Sequence, residues 1–149
     1  MQAWLYRHPV LYGLAVFAVF YMTLEFVGSW WSGWAQLARK FPLTGRFAGQ
    51  RRFFQTAYMR WQFGYRGVLV AGTTADGLYL SARPFFPIFH PALLIPWSQI
   101  RVRRSETFFD GIALTLDNDP RIPITLQGRI ADDLRAAPAL RASGESTAS

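Results

Sequence analysis

The chain has 149 residues, a net charge of +7 and no cysteine. That length suits one domain, and a cysteine-free chain has no disulfides, thiolate nucleophiles, zinc ribbons or thiolate-held iron–sulfur clusters. Aromatic and aliphatic residues are too plentiful for a disordered chain. The positive charge, arginine throughout except for Lys40, is scattered along the sequence, which argues against a nucleic-acid groove.

Residues 10–28 read VLYGLAVFAVFYMTLEFVG, an almost unbroken apolar run. About 18 such residues make roughly 27 Å of helix, close to the hydrocarbon thickness of a bilayer. No polar residue recurs at helical spacing between Val10 and Met22, as a buried amphipathic core helix would require. The preceding segment is poorly charged and no small-residue cleavage site follows, so an uncleaved anchor is expected in place of a signal peptide. On its N-terminal side the run has Arg7; on its C-terminal side it has Arg39, Lys40, Arg46, Arg51 and Arg52. The positive-inside rule then places the C-terminal part in the cytoplasm.

Trp30, Trp31 and Trp34 follow the run, where indole rings favour the membrane interface. Ser29 is suited to capping a helix that reaches Phe41 and stops at Pro42, with Trp30, Trp34, Leu37 and Phe41 on one face. Such a helix lies in the interface, continues the anchor, or packs on the soluble domain. Glu25 is the one ionisable residue near the apolar span. It is either solvated at the cytoplasmic boundary or deeper and in need of a partner, such as an arginine of another subunit.

From Arg51 onward the pattern becomes that of strands. FFQTAYMRWQF and YRGVLVAGTT are rich in aromatic and β-branched residues, and Asp76-Gly77 turns the chain into LYLSA. LLIP and IRVRRSE are split by Pro96, Asp110-Gly111 leads into IALTL, and Asn118-Asp119-Pro120 precedes IPITL. A short helix from about 129 to 137 places Ile130 and Leu134 on one face and ends at Pro138. The expected class is α+β: a transmembrane helix and an interfacial helix, then six or seven short antiparallel strands forming a sandwich or partly open barrel, closed by a C-terminal helix. The corresponding regions are an anchor and interfacial helix at 1–41, a β domain at 42–137 and an Ala- and Ser-rich tail at 138–149.

The passage DGLYL…HPALLIPWSQIRVR resembles the middle of bacterial pleckstrin-homology-like and GRAM-like domains. Asp76, Gly77, Leu78, Tyr79, Leu80, Ile95, Pro96, Trp97 and Ile100 carry the likeness, which covers roughly residues 50–137. The resemblance implies a binding scaffold. In eukaryotic relatives of the fold, basic residues around the first hairpin bind phosphoinositides; Arg60 and Arg66 flank the matching hairpin here, without the full basic signature.

Three other groups stand out. The loop RPFFPIFHP at 83–91 carries three prolines and the apolar Phe85, Phe86, Ile88 and Phe89. It either dips into the bilayer, meets a protein partner, or folds back over an open barrel end as core. Arg101 and Arg103 share one face of a strand, with Arg104 on the other. They are candidates for headgroup contact or an ordinary exposed face. His8 and His90 are far apart, no metal-ligand spacing or glycine-rich phosphate loop is present, and Asp132-Asp133 reads as helix N-terminal charge. Catalysis, cofactors and a small-molecule substrate are therefore not expected. The expected protein is a single-pass, bacterial-type inner-membrane protein with a cytoplasmic pleckstrin-like binding or scaffolding module. Its partners would be the lipid bilayer and a protein in the membrane. The alternative is an accessory subunit of a larger membrane complex.

Overall fold

A computed structural model of the chain describes residues 8–60, 63–83, 89–103 and 111–138. An N-terminal helix, α1 (Pro9–Ser32), is followed by a short α2 (Trp34–Lys40). Seven strands come next: β1 (Gln50–Met59), β2 (Phe63–Thr73), β3 (Gly77–Ala82), β4 (Leu93–Pro96), β5 (Ile100–Arg103), β6 (Gly111–Leu116) and β7 (Ile124–Gln127). Helix α3 (Arg129–Ala136) follows β7. The sheet is antiparallel in the order β4-β3-β2-β1-β7-β6-β5, rolled into a nearly closed barrel. A 3₁₀ turn, Trp97–Gln99, carries the chain between the two outermost strands.

The barrel core is apolar. Leu69, Leu78, Leu80, Ile95, Leu114 and Ile124 contribute fully buried side chains from five strands, and Ile130 and Leu134 of α3 close one end. The Asp76-Gly77 and Asn118-Asp119-Pro120 turns are present, and Asp110 lies outside the described residues. The first hairpin closes earlier than expected, with β1 ending at Met59 and β2 starting at Phe63, so Arg66 lies within β2. At the β2–β3 turn the Thr74 hydroxyl accepts from the Asp76 and Gly77 N–H groups, and the Trp97 indole donates to the Thr74 carbonyl at 2.9 Å. Helix α3 starts against Gln55, whose side-chain oxygen accepts from the Ile130 N–H at 3.0 Å. That bond satisfies one of the donors a helix N-terminus leaves open. In a second apolar cluster, Phe47 stacks on Tyr79 of β3 at 4.2 Å and the Arg51 guanidinium covers both rings.

Two sequence expectations change here. Ser29 does not cap a second helix; it lies within α1, which runs 24 residues to Ser32. The break falls at Gly33, whose φ of +84° is left-handed and whose N–H bonds to the Trp30 carbonyl. Glycine is needed there twice over, because a β-carbon would also lie 2.7 Å from Cδ1 of buried Ile122. The break re-phases the helix, so the tryptophans do not share a face. Trp30 and Trp31 are exposed, whereas Trp34 and Leu37 are fully buried in the barrel core. Trp34 is thus a core residue, its indole N–H donating to the Pro91 carbonyl at 3.0 Å, and not a ring at the membrane interface.

A buried polar chain and cavity where the helix enters the barrel

Helix α1 has two environments. From 9 to 24 no residue is buried, and Val10, Leu14, Phe17, Val19 and Phe20 are each at least 60% exposed. This helix is long and apolar enough to cross a membrane. From Glu25 on, α1 docks on the barrel through small and polar residues: Gly28, Ser29 and Ser32 are its buried positions. The Ser29 hydroxyl donates to the Phe89 carbonyl at 2.6 Å, and Phe26 meets the Phe89 ring edge-on at 5.4 Å.

Within this junction runs a chain of four polar side chains from three parts of the sequence. Glu25 Oε2 lies 3.1 Å from His90 Nδ1, His90 Nε2 lies 3.1 Å from the Tyr65 hydroxyl, and that hydroxyl lies 2.7 Å from Ser32 Oγ. All four are mostly or wholly buried, with the Glu25 side chain 13% exposed and that of His90 4%. One proton arrangement serves the hydroxyls: Ser32 donates to Tyr65 and Tyr65 to His90 Nε2, while His90 Nδ1 faces Glu25 Oε2 at 3.1 Å without hydrogen-bond geometry. Trp34 packs over the chain, its ring 5.3 Å from Tyr65 and 5.7 Å from His90.

Burial sets the protonation of this chain. It pushes the Tyr65 hydroxyl up to about 12, the Ser32 hydrogen bond opposing and the Glu25 charge adding to the effect. It holds His90 below its ordinary value, against the opposing pull of Glu25. The imidazole is therefore neutral at pH 7, with its Nδ1 facing the buried side chain of Glu25.

A cavity of about 330 Å³ opens beside the chain. Tyr21, Leu24, Glu25 and Gly28 line it from α1; Gly64, Tyr65, Val68, Ala82, Arg83 and His90 line it from the barrel. Arg83 is exposed at its rim, its guanidinium 5.5 Å from the Phe53 ring. Beside it on β1 is a bulge where register shifts between Arg52 and Gln55. Phe54 sits there at φ +56° and 84% exposed, with Phe53 and Val68 also exposed. An aromatic residue in that conformation costs about 1–3 kcal/mol, which marks the rim as a place where backbone strain is tolerated. A second hollow, about 520 Å³, lies between the β2–β3 turn, Trp97 and α3. Its acid, Asp133, is already held by Arg52 at 2.9 and 3.2 Å.

The sequence-predicted positions are dispersed over the barrel. Arg60 is half-buried at the end of β1, and Arg66 lies 5.9 Å from the Tyr58 ring. Arg101 pairs with Asp117 at 3.1 Å on β5, and Arg103 is exposed at the end of the same strand. Phe85, Phe86, Ile88 and Arg104 lie outside the described residues. Phe89 does not project from the protein; it is half-buried on α1. Glu25 has its partner within the chain, His90, where the deep reading called for an arginine of another subunit. Sequence reasoning singled out Glu25 but missed His90, Tyr65 and Ser32. The one available signal was an acid in an apolar helix, which requires a partner somewhere. Compared with family models, curated proteins and solved structures, the chain shows no match in any of the three.

Proposed function

We propose that this is a single-pass membrane protein whose β domain, a pleckstrin-like barrel, works as a binding and scaffolding module on the cytoplasmic face of the inner membrane. One observation carries the reading: the apolar length of α1 stands clear of the barrel, while its last turns are built into the barrel core. Exposed to water, each large apolar side chain forfeits about 1.5–3 kcal/mol relative to burial, so residues 9–24 call for an apolar surrounding that the protein does not provide. Removal of the helix as a signal sequence would take Ser29 and Ser32 out of the junction, which supports an uncleaved anchor.

Other features agree with this reading. The basic flank of Arg39 and Lys40 favours a cytoplasmic barrel. Strand order, the Ile95-Pro96-Trp97 passage and the helix after β7 support the pleckstrin-like scaffold. Exposed Phe53, Phe54 and Val68, on the rim that shares a cavity with Tyr21 and Leu24, suit contact with a lipid surface. The His90–Tyr65–Ser32 chain is buried at the helix–barrel contact, which favours a structural and binding role. Carbonate extraction and a C-terminal reporter test the proposal. The protein should stay with the membrane and the reporter should be cytoplasmic. Release by carbonate, or a periplasmic reporter, would refute it.

A further inference from the structure

The cavity at the junction combines three features that a lipid headgroup site needs. At its inner wall is Glu25, whose buried Oε2 has no hydrogen-bond partner among the described residues and lies 3.1 Å from His90 Nδ1. A carboxyl group has about four acceptor positions, so Glu25 has acceptor capacity unused at a buried position. At the rim is Arg83, an exposed base whose guanidinium lies over the neighbouring Phe53 ring. Between them the wall is apolar, formed by Leu24, Val68 and Ala82, and it continues directly onto the exposed apolar surface of α1 at Tyr21. An acid inside, a base at the mouth and an apolar exit toward the bilayer are complementary to a zwitterion with a chain attached.

We propose that this cavity binds the headgroup of a membrane aminophospholipid of the phosphoethanolamine type, its ammonium against Glu25, its phosphate against Arg83 and its first acyl carbons along Leu24 and Val68. The inference deepens the reading of the chain as a membrane protein and rests on it. The volume of about 330 Å³ is at the low end for small-molecule sites, enough for a headgroup and too small for a whole lipid. The carboxylate sets the preference. A primary ammonium offers three N–H donors to a buried acceptor, whereas a quaternary choline offers none and a glycerol headgroup carries no positive charge. Phosphatidylethanolamine should therefore be held more tightly than phosphatidylcholine or phosphatidylglycerol.

The test is native mass spectrometry of the full chain released from nanodiscs holding equal amounts of the three lipids, after flotation has established membrane insertion. Phosphatidylethanolamine should be retained about tenfold over either competitor, the scale of one charge-assisted hydrogen bond. Glu25→Gln keeps the size of the side chain while removing the charge, and should abolish the preference. Val68→Trp fills the cavity from the barrel side and should lower retention of all three lipids, so the outcome does not hang on one variant; near-UV circular dichroism reports whether each is folded. Titration with soluble glycerophosphoethanolamine separates sources: competition without lipid retention would identify a free headgroup compound as the ligand and overturn the lipid assignment. Equal retention of the three lipids by a protein that floats would overturn the site alone. Co-purification of a polypeptide lost on Glu25→Gln, with no lipid preference, would assign the cavity to a basic side chain of a partner. A chain that does not float would overturn the site together with the membrane reading.

Discussion

From residue 9 to 24, α1 carries valine, leucine and phenylalanine on every side, and the protein buries none of them. From 25 to 32 the same uninterrupted helix buries Gly28, Ser29 and Ser32 and leaves Phe26, Val27, Trp30 and Trp31 exposed. The usual rule is inverted: the apolar residues are outside and the small polar ones inside. Two surroundings explain the inversion. Where the helix has no protein neighbour, apolar side chains suit lipid. Where it meets a sheet, glycine and serine allow close approach and give hydroxyls to backbone carbonyls and to Tyr65, as small residues do at helix contacts in membranes. Hydrophobicity alone therefore does not tell which part of α1 is core.

The comparison can be broken most severely from the docked side. Trp34→Ala removes a fully buried ring that packs over Tyr65 and His90, and should cost about 3–5 kcal/mol, read by chemical denaturation in detergent. His90→Ala leaves the Glu25 carboxylate and the Tyr65 hydroxyl without their shared partner; a loss of about 3 kcal/mol is expected, with hydrogen exchange rising first in the last turns of α1. An unchanged exchange pattern would show that the polar chain does not hold the helix to the barrel. Gly33→Ala forces a β-carbon into Ile122 at positive φ and should cost roughly 2 kcal/mol, with loss of the α1–α2 break.

Acid should loosen the same junction. His90 is held below its ordinary value in the folded state, so the unfolded chain binds its proton first as pH falls. The stabilising contribution of the neutral imidazole is complete above about pH 6.5 and declines below it. Thermal midpoints measured from pH 7.5 to 5 should fall in the native chain, and the fall should be smaller in His90→Gln. A flat profile would contradict a neutral His90. The exposed side gives the smallest effects on stability: Leu14→Gln and Phe54→Ser should each leave barrel unfolding within about 0.5 kcal/mol while weakening membrane association in flotation.

Much of the architecture is legible in the sequence because it is encoded locally. The length of the apolar run predicts one long helix, Asp76-Gly77 and Asn118-Asp119-Pro120 mark turns, and Ile130 with Leu134 marks the buried face of α3. The strands follow the aromatic and aliphatic runs, except that FFQTAYMRWQF is divided between β1, which ends at Met59, and β2, which begins at Phe63. The α1–α2 break was less legible: Ser29 is a good capping residue by type, whereas the left-handed Gly33 and its contact with Ile122 set the boundary.

The amino-acid sequence by itself determined an apolar helix, an antiparallel β domain and a terminal helix, since periodicity, turn dipeptides and prolines act over a few residues. Tertiary structure alone decided that Trp34 is core while Trp30 is not, that Glu25 pairs with His90, and that Tyr65 and Ser32 complete the chain. Glu25 and His90 are separated by the first three strands, and no local pattern reports a contact across such a distance. The partner of a buried charge is chosen by the fold that brings the groups together, because the cost of leaving it unpaired is incurred only once the barrel has excluded water.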